Sequence, residues 1–170
     1  MQNLTYWHFA ARDAAVILAT YIVWTMFSHH TVGSGALADF TGIAIGGLLA
    51  ISLHLVHEWG HCLGGFAGRS KMIPGDNMRS AFIFVFNSTE NDKKQFLLMS
   101  FSGFLGTALV VWFSFYVLPD DQLASRIARG FAVLQVVLAI VIEVPLVVWA
   151  LVGKGLPPID KGKHAPGVAA

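Results

Sequence analysis

Between Leu53 and His61 the chain reads Leu-His-Leu-Val-His-Glu-Trp-Gly-His, and four of these residues can do chemistry. At about 100° per residue on a helix, His54, His57, Glu58 and His61 fall within one sector about 100° wide. One helix face then carries three imidazoles and a carboxylate. Two histidines one turn apart, as in His57-Glu58-x-x-His61, can put two nitrogens on one zinc ion at about 2.0 to 2.1 Å, while the glutamate between them reaches a neighbouring water as general base. His54 has three readings: a third imidazole for the same ion, a partner hydrogen-bonded to one of the ligands, or a satisfied core histidine. The bland reading of the whole face is a histidine pair bonded to neighbouring carbonyls, with Glu58 protonated in a polar seam.

These residues sit inside an apolar stretch running from about residue 40 to residue 67. An ionisable group at mid-bilayer costs roughly 2.5 to 3.5 kcal/mol, so such groups are paired, hydrated or metal-bound. A catalytic zinc commonly takes three protein ligands, and the sequence offers a carboxylate for the third place at Glu143, within Ala-Ile-Val-Ile-Glu-Val-Pro. Counted from the same side of a membrane, Glu143 and the His57–His61 pair lie at matching depth. Pro145 loosens the backbone ladder beside Glu143 and helps aim it.

Composition states what must position these groups. The 170 residues are 55% hydrophobic and 12% charged, with mean hydropathy +0.64, which excludes an ordinary soluble domain and reads as an integral membrane protein. A formal net charge of +1 gives no field for nucleic acid. The lone Cys62 reads as a packed thiol. The fold expected is an all-α polytopic membrane protein with spans at about 13–28, 40–67, 95–118 and 130–152, followed by a polar tail over 153–170. Residues 1–11 carry no basic region of a signal peptide, so the first span reads as a retained anchor, with Tyr6, Trp7 and Phe9 in an interfacial belt.

Between the second and third spans, Ala81-Phe-Ile-Phe-Val-Phe86 is too short to cross a bilayer and reads as a strand or a re-entrant piece. Gly42 and Gly46, and then Gly60, Gly64 and Gly68, form small-residue ridges that admit another helix or another membrane subunit. Arg12, Arg69, Lys71, Arg79, Lys93, Lys94, Lys154, Lys161 and Lys163 fall on one side of the spans, against Arg126 and Arg129 on the other. Both termini and the long connection are then cytoplasmic, and the expected location is a bacterial inner membrane.

The stretch His57-Glu58-Trp59-Gly60-His61 resembles the His-Glu-Phe-Gly-His of the site-2 protease family of intramembrane zinc metallopeptidases. The strand-like 81–86 and the Ser100-Phe-Ser-Gly-Phe-Leu-Gly106 that opens the next span fit the same pattern. The family draws its third ligand, an aspartate, from a stretch ending Leu-Asp-Gly. Two echoes stand here: Gln135 with Glu143, and Leu156-Pro157-Pro158-Ile159-Asp160. The resemblance implies a zinc endopeptidase that cleaves a membrane-protein substrate helix, with Glu58 as base and with His57, His61 and a third ligand on the ion.

A second reading is a catalytically inactive, protease-like subunit packed in a larger membrane complex. A third is a di-metal oxidase that gathers His29, His30, His54, His57 and His61.

Overall fold

The computed structural model describes residues 4–153 and 155–158. Four helical rods are long and apolar enough to cross a membrane. Helix α1 (Tyr6–Phe27) runs into a 3-10 turn, and α2 (Ala36–Ala67) returns antiparallel to it. A two-stranded antiparallel sheet, β1 (Met72–Pro74) and β2 (Phe84–Phe86), precedes α3 (Lys93–Tyr116). The last rod comprises α4 (Leu123–Leu138), a π-helical turn (Ala139–Glu143) and α5 (Val144–Val152). Of the stretch expected to be strand or re-entrant, half is strand, and Ile83 just before it is fully buried.

Helix boundaries depart from expectation at three places, each for a local reason. Tyr6, Trp7 and Phe9 lie inside α1 rather than ahead of it, because Thr5 and His8 close a capping box there. The second rod begins at Ala36, just after Gly35, whose φ of 127° suits a residue without a Cβ. The fourth rod starts at Leu123, so Arg126 and Arg129 belong to its first turns instead of preceding it. The Arg129 guanidinium donates to the Ser114 and Leu118 carbonyls at the end of α3 and pairs with Asp120.

Helix α2 is the axis of the bundle, and its two glycine ridges serve different neighbours. A Cβ at Gly42 or Gly46 would strike Leu123 or Ile127 of α4, whereas one at Gly60 or Gly64 would strike Ser102 and the Leu98 carbonyl region of α3. Both ridges are therefore filled from within the chain. Around them Ile45, Leu49, Leu53, Val110, Ala124, Ala128 and Ala132 make the main core. The outer faces are apolar too, with Ile17, Ile43, Leu105 and Ile140 among many exposed large side chains.

The end of α2 and the start of α3 are tied together, which sets the register between them. Arg69 takes a left-handed conformation (φ 54°), and Ser70 N–H bonds the Gly65 carbonyl while Arg69 N–H bonds that of Phe66, a Schellman close. Asp92 and Gln95 form a reciprocal capping box at the start of α3. The Gln95 amide then donates to the Gly68 and Arg69 carbonyls.

Candidate metal centre

That register lays the first half of α3 against the polar face of α2. His57 Nδ1 stands 2.9 Å from Thr107 Oγ1 and 3.2 Å from the Gly103 carbonyl, and His61 Nδ1 stands 3.2 Å from the Met99 carbonyl. A carbonyl only accepts, so in the neutral ring each Nδ1 carries the proton and each Nε2 turns its lone pair the other way. Outer partners of this kind fix tautomer and ring orientation at metal sites.

Glu143 meets those lone pairs. Its Oε1 lies 3.3 Å from His57 Nε2 and its Oε2 lies 3.4 Å from His61 Nε2. The three residues form the group that could hold a metal ion, with one ligand atom from each within 4.8 Å of the others. Ligands about 2.0 to 2.1 Å from a tetrahedral ion stand roughly 3.3 to 3.4 Å apart, so the separations suit donors sharing one centre. Glu143 Oε2 is buried without a hydrogen-bond partner, the state of an oxygen whose partner is an ion. Two imidazoles and one carboxylate are also a donor set that catalytic zinc uses.

The local fold explains how Glu143 arrives. Gly42 and Gly46 let α4 approach α2 closely, so the parallel rods bring residue 143 to the level of His57 and His61. The π turn ends on Glu143, with Val144 N–H reaching the Ala139 carbonyl, and Pro145 directly follows. Proline lacks an N–H for the regular ladder, so the wider turn is accommodated at that point.

Glu58 is 7% exposed, faces the main chain of Ile83, and lies within electrostatic reach of His57 and Glu143. His54 meets the Ala81 main chain, and its ring lies 6.3 Å from that of His57, centroid to centroid. It is not part of the three-residue group. His29 and His30 sit in the 3-10 turn at the opposite end of α2, roughly 30 Å of helix from His57. The five histidines therefore do not converge, and the di-metal arrangement is not formed. Asp160 lies outside the described residues. Gln135 is buried two turns before Glu143 with both amide atoms unpartnered.

Sequence reasoning missed the groups that orient the two imidazoles. The Met99 and Gly103 carbonyls carry no signal, since every residue has one, and Thr107 stands one residue beyond the Ser100–Gly106 stretch. It also missed Asp13, which is 1% exposed and accepts the Trp59 indole N–H at 2.8 Å from inside the first span.

The sheet borders the site. Gly75 N–H bonds the Ile83 carbonyl and Asn87 N–H bonds that of Lys71, so by alternation the main-chain groups of Phe84 and Phe86 point away from β1. Pro74 stands opposite Phe84, where its missing N–H costs the ladder nothing. Among the described residues β2 has no strand on its other edge.

No protein-family model, no curated protein and no solved structure matches this chain.

Proposed function

We propose that the chain is a zinc-dependent endopeptidase embedded in a bilayer, of the site-2 protease kind, acting on membrane-spanning segments of other proteins. The observation that carries this reading is the convergence of His57 Nε2, His61 Nε2 and the Glu143 carboxylate, with each Nδ1 oriented by α3. Four apolar rods with lipid-like outer faces support the bilayer setting. The basic residues Arg12, Arg69, Lys71, Arg79, Lys93 and Lys94 at one end, against Arg126 and Arg129 at the other, favour a cytoplasmic N-terminus and sheet. A bacterial inner membrane fits that arrangement.

Bound between these three side chains, zinc would polarise a peptide carbonyl and make water a better nucleophile near neutral pH. The protein's own residues do the rest. His57 and His61 donate lone pairs from Nε2 while the α3 carbonyls and Thr107 hold their Nδ1 protons. Glu58 accepts the proton of the attacking water and delivers it to the amine nitrogen as the C–N bond breaks. Its burial keeps that proton from bulk solvent.

A helical substrate hides its carbonyls in its own hydrogen bonds, so it has to unwind to react. The outer edge of β2, with the main-chain groups of Phe84 and Phe86, offers a strand pairing for the unwound segment beside Glu58.

The test is Glu58→Gln on detergent-purified protein given a transmembrane substrate. About one zinc per chain with cleavage lost supports the assignment, and full cleavage by Glu58→Gln overturns it. No zinc in wild type purified without chelator also overturns it and leaves a structural subunit as the better account.

A further inference from the structure

Helix α1 is the least embedded of the rods, yet it carries a buried carboxylate paired with a half-buried arginine. Only Phe9, Asp13 and Thr20 of α1 are buried, a single stripe down one face. Opposite them on α2 stand Cys62, packed with Phe9, then Trp59, bonded to Asp13, and Ser52, whose hydroxyl donates to Thr20 at 2.9 Å. A helix seated on so narrow a stripe adds little core. Its polar residues reach further than its apolar ones.

Asp13 uses both oxygens. Oδ2 accepts the Trp59 indole at 2.8 Å, and Oδ1 accepts Arg12 Nε at 2.6 Å. Held in this way, Arg12 aims Nη1 at the segment between the strands, where it donates to the Met78 and Ser80 carbonyls at 2.8 Å each. The residues that follow are the ones lying on the site: Ala81 meets His54, and Ile83 meets Glu58. Ile83 is fully buried in a cluster with Phe9 and Cys62. One connected path therefore runs from α1 to the polar face of α2 by way of residues 78–83.

We propose that Arg12 and Asp13 are positioning residues that latch residues 78–83 as a lid over Glu58 and His54, beside the candidate metal site, with Trp59 anchoring the latch to α2. The chemistry suits a releasable closure. The lid is held by a charged donor on two main-chain carbonyls, by the buried Ile83 with Met78 packed beside it, and by the Gly75 N–H bond to the Ile83 carbonyl. Releasing it uncovers Glu58 and His54 in one movement. The inference asks only what holds the segment in place, so it stands whether or not the site cleaves peptides.

The experiment is hydrogen–deuterium exchange, read peptide by peptide, on the full chain in lipid nanodiscs. Arg12→Met removes both carbonyl bonds and is expected to speed exchange across residues 78–86 by roughly a hundredfold, leaving the α2 and α3 cores unchanged. Arg12→Lys keeps the charge beside Asp13 but cannot span both carbonyls, and is expected to give a smaller, still local, increase. It also serves as the reading variant if Arg12→Met does not fold. Unchanged exchange over 78–86 overturns the latch. A uniform increase through α2 and α3 overturns it as well, because the pair then holds the bundle rather than the lid.

Discussion

Gly103→Ala tests whether the packing of α3 on α2 exists to place the ligands. A Cβ at Gly103 would overlap the Cε1, Nδ1 and Nε2 atoms of His61, while the Gly103 carbonyl is also an acceptor for His57. To restore ordinary contact near 3.5 Å the His61 ring has to move by roughly 1 Å or more. Metal–ligand distances tolerate only about 0.2 Å, so that movement would carry His61 out of reach of an ion held with His57 and Glu143. The fold has cheaper relief, because a side chain can swing where a backbone cannot. Overpacking costs about 1 to 3 kcal/mol, and replacing glycine by alanine within a helix returns roughly 1 kcal/mol. The expected result is a zinc affinity at least about a hundredfold weaker, measured by competition with a chromophoric chelator, with unchanged helical circular dichroism. Gly106→Ala, whose Cβ would meet the His57 backbone at 3.1 Å, should weaken zinc less. Gly47→Ala, with nothing within 4 Å, should leave it unchanged. Wild-type affinity in Gly103→Ala would refute the reasoning.

Two further substitutions probe the same geometry from other sides. Thr107→Val removes a hydroxyl from His57 Nδ1 while keeping shape, and should weaken zinc by about 10- to 100-fold in the same competition assay. Gly46→Ile touches no ligand but pushes Ile127 and α4 away from α2, so it should lower bound zinc by elemental analysis while the protein remains helical and monodisperse.

The sequence made the histidine face legible because spacing alone decides which side chains share a helix face. Glu143 was legible only as one candidate for the third place, beside Asp160 and His54, because a carboxylate in an apolar run can also sit protonated between helices. What spacing cannot convey is how one helix is rotated against another. Thus the carbonyls of Met99 and Gly103, the π turn ending at Glu143 and the descent of Arg12 onto residues 78–83 emerge only from the packed bundle. The early start of α4 was hidden for a related reason. Arg126 and Arg129 read as loop charges until Arg129 is seen closing the carbonyl end of α3. Even the glycine ridges, visible as a pattern, gave no sign that one serves α3 and the other α4.

Energetics separate a site kept for binding from one kept for structure. His57, His61 and Glu143 meet in the middle of apolar rods, where ionised or polar groups are costly even when paired. If the trio merely pinned the rods together, replacing all three with apolar residues of similar volume would loosen the bundle, since α4 is drawn to α2 at that level by Glu143. If it is held for an ion, the metal-free protein bears a desolvation cost that substitution removes. Replacing a buried ionic cluster with well-packed apolar side chains is commonly neutral or stabilising by about 1 to 4 kcal/mol. The triple variant His57→Leu, His61→Leu, Glu143→Leu, compared with wild type by thermal unfolding in chelator, is therefore expected to match or exceed it. Adding zinc should raise the wild-type transition and leave the variant unmoved. A variant destabilised by several kcal/mol in chelator would make the trio a structural clamp. The expectation rests on Gly42, Gly46, Gly60 and Gly64, which already give α2 close contacts with α4 and α3.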